Sequence, residues 1–195
     1  MTEGRAAGAK DADRACAHDL PPLSRAYLGI GSNIDPERHV RQALRLLTRA
    51  VHVTALSMFY RTQPEGRPEQ PEFYNGVAEV STGIPPRELK LSVLRGIEAA
   101  LGRTRSADRF AARTIDLDLL LYDSLVISED DLRLPDPDIL RRPFLAFPLE
   151  ELAPDLRVPG SALTLGEIAG RLCRGGLQPL PEYTRRLRRE IRCEP

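Results

Sequence analysis

From Arg25 onward the hydrophobic positions switch between a two-residue and a three-to-four-residue period. Ala26-Tyr27-Leu28-Gly29-Ile30-Gly31 is a short apolar run that predicts a strand ending in a glycine turn. Ser32, Asn33 and Asp35 offer N-caps and Pro36 suits the first helical position. Val40, Ala43, Leu44 and Leu47 then recur at helical spacing, predicting a helix over 36–49. Val51 to Thr62, rich in β-branched and aromatic residues, reads as one second strand, and the three prolines of 63–71 make the next segment a loop. Phe73 to Val80 predicts a third strand. Pro85-Pro86 opens a second helix with Leu89, Val93, Ile97, Ala100 and Leu101 on one face, closed by Gly102. Ile115 to Leu121 predicts a fourth strand.

The order β-α-β-β-α-β is the split pattern of a ferredoxin-like α+β fold with an antiparallel sheet, followed by additional C-terminal elements. Those are a short apolar stretch at 125–127, a proline-rich loop, an apolar patch from Phe144 to Leu152, and a helix from Thr164, where Glu167 completes a capping box. The tail carries Arg185, Arg186, Arg188, Arg189 and Arg192. The expected organisation is a mobile extension over 1–24, one main folded domain over 25–160, and a C-terminal helix with a basic tail over 161–195.

Composition narrows this picture modestly. A chain of 195 residues, 42% hydrophobic and 29% charged, suits one soluble domain with tails. Its 28 basic and 28 acidic side chains cancel, so any pull on an anion must come from local clustering. Cys16, Cys173 and Cys193 fit neither a disulfide framework nor a zinc spacing. With no long apolar run and no apolar leader, the expected location is the cytoplasm.

Candidate chemistry centres on Asp116-Leu117-Asp118. Alternation along a strand aims both carboxylates to one face, two residues apart at ~3.3 Å each, with Ile115, Leu117, Leu119 and Leu121 on the other. Two like charges so placed either face solvent or share a hard cation such as Mg²⁺, which takes one or two carboxylates and leaves its other positions to phosphate and water. Just upstream, Arg103, Arg105, Arg109 and Arg113 form a cationic loop suited to a polyphosphate. A nucleic-acid patch is the competing reading, but only Phe110 interleaves the arginines, and single-strand binders use several stacking aromatics. Phe73-Tyr74-Asn75 places an aromatic beside an amide, able either to hold a flat heterocycle or to fill the core, and Phe144 could supply an opposing ring. The Gly29-x-Gly31 pair lacks the further residues of a Rossmann or P-loop turn. His18, His39 and His52 are scattered.

Taken together, the blocks resemble the 6-hydroxymethyl-7,8-dihydropterin pyrophosphokinase family from roughly Arg25 to Pro159. They are Tyr27 to Asn33, Phe59-Tyr60-Arg61-Thr62, Gln70 to Asn75, and Ile97-Glu98 with Leu101-Gly102-Arg103. Arg109-Phe110 with Arg113 to Leu119 follows, then Arg142-Pro143-Phe144 with Pro148-Leu149. The resemblance implies transfer of pyrophosphate from ATP to a pterin hydroxymethyl group, releasing AMP. It implies two Mg²⁺ ions on Asp116 and Asp118, and phosphate contacts from Arg103, Arg113 and Arg142. It also places Glu98 at the nucleotide site, the pterin between Phe73 and Phe144, and its polar edge on Asn75 and Thr62. The partners implied are ATP and a reduced pterin, without nucleic acid or membrane, on a monomer or weak homo-oligomer. Three positions depart from the family pattern. Asp136 stands where many relatives carry histidine, Phe110 where tryptophan is common, and Glu65 replaces an apolar loop residue. Asp136 keeps open a non-catalytic pterin- or nucleotide-binding module as the alternative.

Overall fold

The computed structural model describes residues 23–104, 108 and 110–192. The expected extension over 1–24 therefore lies almost wholly outside the described residues, as do Arg105, Arg109, His18, Cys16 and Cys193. β1 (Ser24–Ser32) leads into α1 (Pro36–Ala50), followed by β2 (His52–Leu56), β3 (Tyr60–Thr62) and β4 (Phe73–Thr82). A continuous helical segment comes next, formed by α2 (Pro86–Glu88), a π-helical stretch (Leu89–Leu94) and α3 (Arg95–Ala100). β5 (Asp116–Tyr122), the hairpin β6 (Ile127–Ser128) and β7 (Arg133–Leu134), and a 3-10 turn (Pro137–Leu140) lead to α4 (Pro143–Leu152). α5 (Leu165–Ala169), β8 (Gln178–Pro179) and α6 (Pro181–Arg192) complete the order.

The sheet runs β5-β1-β4-β3-β8, with β2 also on β4, and every named pairing in it is antiparallel. With β2 and β3 counted as one interrupted strand, this is the ferredoxin-like order. The interruption departs from the continuous strand expected over 51–62, and its cause is tertiary. Phe59 turns its buried ring under the backbone of β4, where a Cβ on Gly76 would lie 2.8 Å from it. Ser57 bridges the break, its Oγ accepting from the Val77 amide at 2.9 Å.

One sheet face packs Leu28, Ile30, Leu117 and Leu119 against Val40, Leu44 and Leu47 of α1 and Leu89, Leu94 and Ile97 of the second helical segment. The other packs Tyr27, Val77, Leu120 and Leu121 under Leu145, Leu149 and Ile168 of α4 and α5. Leu121 was expected beside Leu117 and Leu119. A bulge between Tyr27 and Leu28 shifts the register and sends it to the opposite face.

Two other local expectations resolve differently. Gly31 makes no turn, because β1 runs on to Ser32. Ser32 and Asn33 do not cap α1, whose N-cap is Asp35 in a left-handed conformation without a side-chain bond. The expected capping box at α5 forms, the Glu167 amide donating to Thr164 Oγ1 at 3.2 Å and the Thr164 amide to Glu167 Oε2 at 2.8 Å. The basic tail is helical: α6 buries Tyr183 and Leu187 in the core and turns Arg185 and Arg186 outward. β8 covers the outer edge of β3, where Leu180 N donates to Phe59 O at 2.9 Å and Phe59 N to Thr184 Oγ1 at 2.9 Å.

Candidate active site

α4 and α5 cover only part of the second sheet face. The uncovered part floors a cleft of about 290 Å³. Residues opposite one another on neighbouring strands share a face, so the pairings Tyr60–Asn75, Asn75–Gly31 and Gly31–Asp116 make one continuous rung across β3, β4, β1 and β5. Gly29 stands opposite Asp118 one rung away. Glycine is needed at 31 because a Cβ there would lie 2.8 Å from Asn75 Oδ1. A row of small residues on β1 thus leaves room between an amide on one side and two carboxylates on the other.

Thr62, Phe73, Asn75 and Phe144 line the cleft on the β3–β4 side and along α4. Asn75 Nδ2 donates to Thr62 Oγ1 at 2.7 Å in a buried contact, which fixes the amide's orientation. Arg113, Asp116 and Asp118 line the β5 side, and Arg142 at the start of α4 joins this charged set, its guanidinium 5.5 Å from the centre of the Phe144 ring. Arg103 and Glu98 do not reach the cavity wall and stand behind Asp116. Arg103 Nη1 donates to Glu98 Oε1 at 2.7 Å, to the Ile115 carbonyl at 2.9 Å, and to Asp116 Oδ1. Arg113 Nη1 takes the other Asp116 oxygen, Oδ2. Glu98 is only 2% exposed and also accepts from the Leu117 amide at 2.9 Å, so it ties the arginine to the strand that carries both aspartates.

Charge separates the two aspartates. Burial alone would raise Asp116, yet Arg103 and Arg113 hold its carboxyl below the usual carboxylate range. Asp118 has no hydrogen bond or ion pair among the described residues. Its carboxyl is pushed up to about 7, first by the protein packed around it and then by the charges of Asp116, Asp136 and Glu98. It nonetheless opens to solvent in the cleft. Oxygen-only donors, one of them with no cation of its own, suit a hard dication such as Mg²⁺ better than a soft metal.

Several residues make contacts that their sequence neighbourhood does not announce. Asn33 braces the arginine segment instead of α1: its Oδ1 accepts from Arg113 N at 2.7 Å, and Ser32 Oγ donates to Thr114 O at 2.5 Å. Asp138 holds Arg142, accepting from its Nε at 2.6 Å. Asp136 caps the 3-10 turn, accepting from Asp138 N at 2.8 Å, and burial raises its carboxyl despite that bond. Phe110 lies over Gly66, whose Cβ position would be 3.3 Å from the ring.

Fold and cleft together define a ferredoxin-like α+β protein whose open sheet face sets an aromatic–amide wall against an arginine–carboxylate wall. The model of the family described as 7,8-dihydro-6-hydroxymethylpterin-pyrophosphokinase (HPPK) matches residues 27–154, and the chain belongs to that family. It is 39% identical over 159 residues to the 2-amino-4-hydroxy-6-hydroxymethyldihydropteridine pyrophosphokinase of Methylorubrum extorquens, covering 80% of this chain and 98% of the relative. The enzyme of the same name from Bacillus subtilis is 42% identical over 130 residues, covering 65% of this chain and 77% of the relative. Among solved structures, Plasmodium falciparum HPPK-DHPS (wild type with SDX-DHP) aligns with a TM-score of 0.62 at 14% identity, a likeness of fold. That alignment covers 76% of this chain and 44% of the larger one. Among the described residues, no helix is long and apolar enough to cross a membrane.

Proposed function

We propose that the chain transfers the pyrophosphoryl group of ATP to the hydroxymethyl oxygen of 6-hydroxymethyl-7,8-dihydropterin, a step of folate biosynthesis. The observation that carries this reading is the single sheet rung joining Asn75 to Asp116 across Gly31, with both walls of the cleft built around it. Phe73 and Phe144 hold the flat pterin, and Asn75 with backbone groups near Thr62 reads its polar edge. The Asn75–Gly31–Asp116 rung spans two strand spacings of ~4.8 Å, so the hydroxymethyl arm points from the amide toward the carboxylates.

Arg103, Arg113 and Arg142 serve the phosphates. Arg113 has the most direct place, because it lines the cleft and its guanidinium lies 5.9 Å from the centre of the Phe73 ring. There it can bridge the reacting phosphorus and the pterin. Arg103 acts from behind, held by Glu98 and Asp116, and lends its positive charge to the phosphate side of the cleft. Asp116 and Asp118 would hold two Mg²⁺ ions, which when bound neutralise the phosphate charge and make the hydroxymethyl oxygen more acidic. The hydroxymethyl oxygen gives up its proton to solvent and forms its bond to the β-phosphorus, the bond from that phosphorus to the α-bridging oxygen breaks, and AMP leaves. Catalysis of this kind rests on positioning and charge, which is what the two walls supply.

The catalytic unit spans residues 25–160, with 161–192 packed behind it as support. The chain works in the cytoplasm as a monomer or weak homo-oligomer on small molecules, without nucleic acid. AMP release from ATP and Mg²⁺ with and without the pterin tests the reading, comparing the native chain with Asp118→Ala. Pterin-dependent AMP that the variant loses is the expected result. Pterin binding without AMP would leave a binding module in place of the enzyme.

A further inference from the structure

Arg142, which lines the cleft, is held by carboxylates from two separate segments. Its Nε donates to Asp138 Oδ2 at 2.6 Å, its Nη1 donates to Glu65 Oε2 at 2.6 Å, and its guanidinium lies 5.5 Å from the centre of the Phe144 ring. The two carboxylates differ in kind. Asp138 is four residues away on the 3-10 turn that feeds α4, and it is held by Arg141 as well. Glu65 is 77 residues away, on the proline-rich loop over the cleft, with 55% of its side chain exposed. It lies between Pro64 and Gly66, and Gly66 takes a φ of 71° that suits glycine.

We propose that Glu65 is an internal competitor for the phosphate-binding face of Arg142, and so sets how tightly the cleft takes ATP. This rests on the reading of Arg142 as a phosphate contact. A carboxylate on a guanidinium occupies the same donor fork that a phosphate oxygen would use. Of the two partners, Asp138 is built into the same rigid segment as Arg142 and stays. Glu65 is the one that can leave, because an exposed ion pair on a loop is weakly held. A polyphosphate entering the cleft takes its place and also pushes the displaced carboxylate away by like-charge repulsion. The same event frees the 63–72 loop from the start of α4. Glu65 therefore acts as a positioning residue whose charge is set against the substrate's.

The test is a double-variant cycle on the full chain, using binding of α,β-methylene-ATP with Mg²⁺ as the readout. Glu65→Gln should tighten the analogue roughly two- to fivefold, the scale of one exposed ion pair. Adenosine, which carries no phosphate, should bind the native chain and this variant alike. In an Arg142→Ala background, Glu65→Gln should change nothing. Equal tightening with and without Arg142 would overturn the proposal, leaving a general charge effect. If Arg142→Ala weakens the analogue while Glu65→Gln leaves it unmoved, the competition fails and the phosphate role of Arg142 stands. If Arg142→Ala leaves the analogue's affinity unchanged, the phosphate role falls and the competition with it, whereas the AMP assay still judges the reaction by itself. Melting curves for all four proteins keep a folding defect from passing as a binding effect.

Discussion

The two walls of the cleft are held in place by different forces. On the aromatic side, Thr62, Phe73 and Asn75 sit in paired strands, and the one polar side chain that must be aimed is fixed by a buried hydrogen bond to a neighbour. On the charged side, Arg103, Arg113 and Arg142 are held by Glu98, Asp116, Asp138 and Glu65, so each cation already has an anion. The first wall is ready for a flat neutral ligand as it stands. The second is a set of charges satisfied by one another, which any ligand that uses them must rearrange. The aromatic wall is thus preorganised by the backbone, whereas the charged wall holds its ionic groups in mutual pairs.

That contrast can be broken at its root by removing Glu98. Glu98→Ala takes a buried acceptor from both Arg103 and the Leu117 amide, and should cost roughly 3–5 kcal/mol in chemical unfolding, the scale for an orphaned buried partner. Arg113→Ala tests the same wall without disturbing the core, since Arg103 still holds Asp116. Turnover should fall roughly 10²–10³-fold while pterin affinity in a binding assay stays within a few-fold. Beneath the aromatic wall, on the opposite face of the sheet, Gly76→Ala would push a Cβ to within 2.8 Å of the Phe59 ring and should lower stability by about 1–3 kcal/mol. Gly31→Ala is the mildest and the most local. By crowding Asn75 Oδ1 it should raise the KM for pterin about tenfold, with kcat and the affinity for ATP changed much less. If Gly31→Ala instead weakened ATP more than pterin, the two walls would not be separable.

The elements themselves were largely legible. Alternation in 115–121 was enough to place Asp116 and Asp118 together on the open face, and helical spacing found α1 and the segment after Pro86 within a residue or two. What escaped depends on contacts far apart in sequence. Nothing local in Ser57-Met58-Phe59 announces a break, because Phe59 turns in only where Gly76 leaves room. The bulge that sends Leu121 to the other face is a property of two strands, not one. Asn33 offers a helix cap by every local rule, but its amide serves the backbone of Arg113, 80 residues on. The pairing of Glu65 with Arg142 is equally invisible from either residue's neighbours. Recognising the family supplied the grouping of Phe73, Asn75 and Phe144, which spacing alone left divided between ligand and core.

The seal on the outer edge of β3 has a consequence for how the chain is made. Phe59 and the Thr184 that accepts from its amide are 125 residues apart. During synthesis, β3 and its neighbours can pair long before β8 and α6 have left the ribosome. For that interval the growing sheet presents an unpaired strand edge, the kind of surface onto which another chain's strand can add. A ribosome stalled before residue 178 would therefore hold a nascent chain with most of its cleft-forming strands present and its edge still sticky. Crowding of nascent chains is therefore a stress to which this protein should be sensitive.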